Sequence, residues 1–540
     1  MSDAAAPAAP GARPGADRSS RAAAGQAGTE RVQAERARAE RARAGQALEG
    51  QALEGQVQAG PPLAGQALAG QALAGQVQAG EALAGEAAAG RMAGQPSIGP
   101  SVGPSVGPSV GPSVGPSQRA FLFLQGPHGP FFWVLARMLR RAGARVRRVG
   151  FTAGDRAFWP DRRSYVACRD GPGGWPARCA ALMDDEGITD LVVYGDTRPV
   201  HAAAVALARA RGLTVHVFEE GYLRPYWITY ERGGANGHSR LMDMGVAEMR
   251  AALAACDMDL PDAPARWGDM RHHIFYGFLY HACVLLLNRG YPGFRPHRAL
   301  GVAAEFRLYL ARLVLMPLHA LERLVATWRI RMGGFPYHLV LLQLEHDASF
   351  RDHGPFASMT EFLELVVRGF AEGAPAHHHL VFKAHPLEDG RVPVRHAIAR
   401  LARAHGLRGR VHFVRGGKLA GLLNAARSAV TVNSTAAQQV LWRGLPLKVF
   451  GRAVYAKPEF VSPQPLAEFF AQPVRPDSRA YRDYRHYLLE TSQIPGGFYS
   501  ARGRRQLLRQ VVDLMLAPED PYDALRSGRA APRQQLRLVT

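Results

Sequence analysis

The sequence predicts an α/β fold of two doubly wound, Rossmann-like units, preceded by a disordered low-complexity N-terminus. Three observations carry that expectation. Apolar runs of strand length alternate with helical patterns in two separate series, as in helix-covered parallel sheets. Residues with chemistry to offer fall repeatedly at the carboxyl ends of those runs, where open α/β sheets hold their ligands. The composition also changes abruptly near Gln118, from Ala/Gly/Pro repeats to patterned apolar sequence.

Residues 1–118 carry Gln-Ala-Leu-Glu/Ala-Gly pentads from Gln46 to about Gly90, then Ser-Val-Gly-Pro repeats from Ser101 to Pro116. Such sequence buries too little apolar surface to offset the entropy of ordering, so it reads as disordered; a short Ala/Arg/Glu-rich helix fits Glu30 to Ala44. The net charge of +21 resides entirely in residues 119–540, because the N-terminal segment holds nine Arg against two Asp and seven Glu. A basic globular part calls for an anionic partner: nucleic acid, anionic lipid or a phosphorylated substrate. No nucleic-acid motif is present, and that class is set aside. The four cysteines, scattered without CxxC or zinc spacing, suit a reducing compartment. No secretory signal and no membrane-spanning run is evident, since Leu308 to Val325 is broken by Arg312, His319, Glu322 and Arg323. A cytoplasmic protein is expected, with contact to a membrane surface left open.

In order, Phe121 to Leu124 reads as a buried strand. Gln125-Gly126-Pro127-His128-Gly129-Pro130 turns, and Phe131 to Arg141 is helical. The turn either presents backbone N–H groups of Gln125 and Gly126 to an anion or is a plain βα turn. It lacks GxGxxG and Walker spacing. Arg145 to Phe151 is a strand, Pro176 to Glu186 a helix, and Leu191 to Tyr194 a strand ending in Asp196 and Arg198. A helix from Val200 to Ala210 feeds the run Leu213 to Val217, which delivers Glu219-Glu220-Gly221 at its carboxyl end. Successive strand residues face opposite ways, so one carboxylate, Glu220, is expected to do chemistry while Glu219 anchors the neighbouring loop.

Residues 243–335 form a basic, aromatic helical connection, suited either to an interior or to an acceptor or membrane interface. Asp257-Met258-Asp259 matches a metal-binding DxD but sits near a helix end, where a cap is the expected role. A second unit follows, with strands at Tyr337 to Leu342, Leu380 to Phe382, Val411 to Val414, Ala429 to Val432 and Leu447 to Gly451. Helices fit Met359 to Phe370, Val394 to His405, Leu419 to Arg427 and Ala436 to Trp442. His377, His378 and His379 alternate along a strand and cannot share one metal pocket. The expected divisions are 119–242 (first unit), 243–335 (connection), 336–475 (second unit), 476–517 (a helical segment crossing back) and 518–540 (tail). Two such units with a returning segment are expected of a nucleotide-sugar glycosyltransferase of GT-B type, with a central cleft.

In the second unit Lys383 and His385 offer a cation and an imidazole, and Pro386 sets the turn. Asn433, Ser434 and Thr435 end another strand, with hydroxyls before a helix. Together they suit a nucleotide phosphate held without metal, opposite the acidic pair.

The Glu219-Glu220-Gly221, His385-Pro386 and Ser434-Thr435 motifs resemble those of bacterial CMP-sugar transferases. More closely, FLQGPHGPFF, GDTRPVH, FEEGYLRPYWIT, LQLEHD, FKAHP, VNSTAAQQVLWRG and LLETSQIPGGFY resemble the capsule polysaccharide biosynthesis/export family of KpsS type, over about Ala120 to Ala517. The resemblance implies transfer of Kdo (3-deoxy-manno-octulosonic acid) from CMP-β-Kdo, with no cofactor. It implies phosphatidylglycerol or its lyso form as acceptor on the inner face of the inner membrane, and a second Kdo transferase and an ABC exporter as pathway partners. On the same resemblance His385 holds the CMP phosphate beside Ser434, Thr435 and Lys383, and Arg224 or Arg198 pairs with the sugar carboxylate. Glu220 acts as nucleophile or as general base, with Asp196 as the reserve carboxylate.

Overall fold

The computed structural model describes residues 115–530, apart from 172, 225, 257–268, 294–301, 346, 386, 387, 389 and 391. The N-terminal repeats, the Glu30 to Ala44 helix, Asp257 to Asp259, Pro225, Pro386 and the last ten residues of the tail lie outside the described residues.

The first sheet opens with β1 (Ala120–Phe123), β2 (Arg145–Gly150), β3 (Tyr165–Ala167), β4 (Asp190–Tyr194), β5 (Thr214–Glu220) and β6 (Trp227–Arg232). The first five strands are parallel, in the order β3-β2-β1-β4-β5, and β6 returns antiparallel along β5. Helices α1 (Phe131–Arg141), α2 (Ala153–Ala157), α3 (Trp175–Asp185) and α4 (Pro199–Ala210) follow β1, β2, β3 and β4. Two of them have proline in the first turn, where its missing N–H costs nothing. The two-residue period of β1 sorts its side chains: Phe121 and Phe123 join Phe131 and Leu135 on one face. Leu122 and Leu124 join Val193 and Ala204 on the other. Both faces are therefore dry, as helix-covered parallel sheets require.

Three helices follow, α5 (Val246–Ala252), α6 (Asp269–Leu287) and α7 (Val302–Met332). Among the described residues no helix is long and apolar enough to cross a membrane. The second sheet comprises β7 (Tyr337–Leu341), β8 (His379–Lys383), β9 (Val411–Val414), β10 (Ala426–Thr431) and β11 (Leu447–Val449). All are parallel, in the order β9-β8-β7-β10-β11. The same order thus occurs twice, and it reverses between β1 and β4 and between β7 and β10. Those reversals open the crevices in which such sheets bind ligands.

The helix expected over Leu419 to Arg427 shrinks to a turn at Ala420–Leu423, and β10 starts three residues earlier than the apolar run suggests. The ladder to β7 takes those residues through a bulge at Ala426/Ser428, and buried Ser428 bonds His338 Nδ1 at 2.8 Å. His378 lies 3.1 Å from His338, whereas His379 lies 2.8 Å from His412. The histidine run therefore splits to different partners.

The C-terminal segment returns to the first sheet. Strand β12 (Gln493–Pro495) pairs antiparallel with β6, and the helix Ala501–Leu516 packs its Leu507 and Val511 into the core of Phe121 and Phe131. One continuous core joins Tyr222, Leu223 and Trp227 of the β5–β6 hairpin to Leu339 and Ala429 of the second sheet, and to Tyr484 of the returning segment. Lys457 seals the same junction by donating to the carbonyl of Met242 at 3.2 Å.

Candidate active site

The β5–β6 hairpin fixes the acidic pair by its backbone. Gly221 N–H donates to Trp227 O at 3.0 Å, and a Cβ at Gly221 would lie 2.2 Å from that oxygen, so only glycine fits. Tyr226 is held at φ +70°, a conformation that costs a bulky residue about 1–3 kcal/mol. Thr229 Oγ1 donates to Glu220 O at 3.2 Å and accepts from Gln493 Nε2 at 3.0 Å. Leu223 N–H donates to Gln493 Oε1 at 3.2 Å, so the returning strand buttresses the turn. Arg224 is exposed and donates to Gly221 O at 3.2 Å.

Glu219 and Glu220 point to opposite faces of β5. Tyr194, at the end of β4, donates its hydroxyl to Glu220 Oε1 at 3.3 Å. Burial, with Tyr499 and both glutamates nearby, pushes the Tyr194 phenol well up. Glu219 turns instead towards Gly195, where a Cβ would lie 2.9 Å from its Oε1 and φ is +71°. Burial, then the charge of Asp196, raises the Glu219 carboxyl to about 7, against the opposing pull of Arg198 and Arg224. Asp196, Arg198, Arg224 and the acidic pair are thus one electrostatic cluster.

Asp196 is 3% exposed. Its Oδ2 accepts from Ala235 N–H and from His238 Nδ1, both at 3.1 Å, while its buried Oδ1 has no hydrogen-bond partner among the described residues. The hydrogen bond to Asp196 raises His238. The His238 ring meets that of His353 edge-on at 5.2 Å, and burial, then His238, lowers His353. His353 ends α8 (Ala348–His353), which follows β7, and its carbonyl accepts from Arg452 N–H at 2.8 Å. A chain of polar groups therefore runs from the end of β4 to the loops at the carboxyl edge of the second sheet. His201, donating from Nδ1 to Gly195 O at 2.7 Å, is driven down to about 3 by burial and stays neutral.

The remaining sequence-predicted residues divide. Lys383 closes β8, 5% exposed, and burial, then Arg323, lowers its ammonium to about 8. Half-buried His385 lies two residues on, its carbonyl accepting from Glu388 N–H at 3.0 Å. Ser434 and Thr435 are half-buried beyond β10, and Ser434 Oγ accepts from Ala436 N–H at 3.3 Å. The helix they precede has only six residues, Ala437–Trp442. Asn433 is engaged internally: it exchanges two bonds with Gln343 across the β7–β10 crevice, at 2.8 and 3.0 Å, and donates to Ser349 O. Gln125 donates to Asp155 at 3.1 Å, inside a buried set with Thr152 and Arg148. Gly126 lies under the Phe132 ring, 2.5 Å from where its Cβ would be. Sequence reasoning missed Tyr194, His238, His353 and Gln343 as parts of this surface. Their only signal was position: Tyr194 ends β4, Gln343 lies just past β7, His238 is in the polar loop after β6, and His353 ends the helix after β7.

A family model described as "Capsule polysaccharide biosynthesis protein" matches residues 189–499, which hold both glutamates, Lys383, His385 and Ser434. The capsule polysaccharide modification protein LipB of Neisseria meningitidis serogroup B is 32% identical over 389 residues, covering 71% of this chain and 92% of that protein. The capsule polysaccharide export protein KpsS of Escherichia coli is 30% identical over 384 residues, covering 71% and 97%. Among solved structures, the Thermosulfurimonas dismutans KpsC beta Kdo 2,7 transferase is similar at 14% identity and a TM-score of 0.34, over 74% of this chain and all of that one.

Proposed function

The chain belongs to the capsule polysaccharide biosynthesis family, and on that premise we propose that it is a glycosyltransferase moving Kdo from CMP-β-Kdo to a phosphatidylglycerol-type lipid. The product would start the linker of a capsular polysaccharide, for extension by a second Kdo transferase and delivery to an ABC exporter. The observation that carries the reading is the acidic pair ending β5, with Glu220 bonded to Tyr194 and Glu219 raised to about 7 beside Asp196. The donor's identity rests on the motif resemblance.

The two carboxylates face opposite ways, so Glu220 does the chemistry while Glu219 holds the loop after β4 at Gly195. Glu220 attacks the anomeric carbon of Kdo as the bond to the CMP phosphate oxygen breaks, and CMP departs with the bonding pair. The acceptor hydroxyl then attacks that carbon, Glu220 leaves as carboxylate, and the hydroxyl proton passes to a phosphate oxygen of the CMP just released. The configuration is retained. Inversion would instead make Glu220 the base for the acceptor hydroxyl. Arg198 or Arg224 pairs with the Kdo carboxylate. Lys383, His385, Ser434 and Thr435 receive the CMP phosphate from the second sheet, and no metal takes part. Asn433 acts by positioning, through Gln343.

Purified protein, CMP-Kdo made in situ and a fluorescent phosphatidylglycerol analogue should give a mono-Kdo lipid. Glu220→Gln should lower its rate by about 10²-fold or more. Full activity in that variant would remove Glu220 from the chemistry. No product from the wild type with any nucleotide sugar would favour a non-catalytic export role, the reading suggested by the printed name of the Escherichia coli relative.

A further inference from the structure

Lys383 ends β8, 5% exposed, and among the described residues its ammonium has no carboxylate partner. A buried charge is costly unless something pairs with it. Here the surroundings bring a second cation instead of an anion. The register sets Lys383 beside Val414, the last residue of β9, and Ala384 N–H donates to Val414 O at 2.9 Å. The chain leaves Val414 as Arg415-Gly416-Gly417-Lys418, with both glycines at positive φ, +60° and +81°. Arg323 of α7 lies across that loop, where a Cβ at Gly417 would be 2.6 Å from its Cδ.

The neighbouring Glu322 fixes α7 at this place. It pairs with Arg415 of the loop at 3.5 Å and, at 2.7 Å, with Arg395 in the helix Val394–Ala404 that follows β8. Glu322 is thereby occupied, and among the described residues Arg323 has no carboxylate partner either. Its charge reaches Lys383 and, after burial, helps to hold that ammonium down at about 8. Two cations without carboxylates, converging from α7 and from the end of β8, make a place for two negative charges.

We propose that Arg323 is a catalytic residue: with Lys383 it holds the phosphate of the departing nucleotide and answers the second negative charge that appears as the bond to the sugar breaks. The inference rests on the proposed nucleotide-sugar reading and adds to it a residue from outside both sheets. In the bound donor the phosphate is a diester with one negative charge. When the bond from the anomeric carbon breaks, the bonding pair stays on the phosphate oxygen. The leaving group is then a monoester with two negative charges, and no proton moves in that step. One cation suffices for the donor, whereas two match the leaving group. A cation whose counter-charge develops only during bond breaking lowers the barrier more than it tightens substrate binding.

The test is calorimetric titration of the full chain, at about pH 7.5, with CMP, its methyl phosphodiester and cytidine, which at that pH carry two, one and no negative charges on phosphate. Arg323→Met should weaken CMP by about ten-fold or more and the diester by under about three-fold, with cytidine and the melting temperature unchanged. Arg323→Lys should restore most of the CMP affinity. In the transfer assay Arg323→Met should lower kcat by about 10²-fold and move the donor KM by under about three-fold. Equal losses on all three ligands, CMP binding indifferent to Arg323, a Lys variant no better than Met, or a wild type that binds neither CMP nor UMP would each overturn the proposal. A wild type that passes over CMP for UMP, with the same dependence on Arg323, would sink the CMP donor and leave the role of Arg323 standing. Transfer from CMP-Kdo at a rate indifferent to Arg323 would do the reverse.

Discussion

Replacing Glu219 by Gln isolates the electrostatic crowding at the carboxyl end of β5. Burial and then Asp196 raise its carboxyl from 4.5 to about 7. A folded value above the unfolded one means that the proton stabilises the fold. The contribution is complete below about pH 4.5, falls as pH rises towards 7, and is gone above it. At about 1.36 kcal/mol per pH unit, the gap amounts to about 3 kcal/mol. Gln keeps the shape of the neutral carboxyl and has no proton to lose, so the variant retains that stabilisation at every pH. With an unfolding entropy near 2.1 cal/mol/K per residue over roughly 400 ordered residues, about 3 kcal/mol corresponds to about 4 °C. Calorimetric melts at intervals from pH 4.5 to 8 should therefore find the two proteins alike at the acid end and the variant about 4 °C higher at the alkaline end. Taking the difference removes Glu231, whose buried carboxyl is also raised to about 7. A melting difference that stays constant with pH, or grows towards acid, would show that Glu219 is not crowded by Asp196 and Glu220.

Two other outcomes concern single sites. Lys383, lowered to about 8 by burial, should make the donor KM rise as pH passes through 8, and Lys383→Met should raise KM and flatten that dependence; a pH-independent wild-type KM would remove Lys383 from the phosphate. Gly126→Ala would put a Cβ 2.5 Å from the Phe132 ring, itself wedged against Phe123 and Phe218, and should cost about 1–3 kcal/mol in denaturant unfolding; a loss below about 0.5 kcal/mol would mean that the ring swings aside.

Much of the scaffold was legible because parallel strands buried on both faces must be continuous apolar runs. Leu191 to Tyr194 and Tyr337 to Leu341 need no partner to be recognised. Strand β12 was not legible, because Gln493-Ile494-Pro495 carries no strand pattern and exists through its ladder to β6. The acidic pair could be placed at a strand end, and a period of two separates its members. What sequence could not supply is the company each residue keeps. Asn433 and Gln125 look like ligand-binding amides, yet their bonds go to Gln343 and Asp155. His238 lies in a loop without periodicity, and only tertiary structure reveals that Asp196 holds its imidazole.

The hairpin explains why the carboxylates can be crowded at all. Two glutamates beside Asp196 repel one another, and in a mobile loop they would swing into water and titrate in the ordinary range. Here escape is blocked from several sides. Gly221 has no room for a side chain, Tyr226 is held at positive φ, and Gln493 bonds both Leu223 N–H and Thr229. The strain and the repulsion are carried by the β5–β6 ladder and by the core that Tyr222, Leu223 and Trp227 share with the second sheet. Removing the Gln493 amide should therefore relax the carboxylates without touching them, because the turn that forces them together depends on a strand more than 260 residues away.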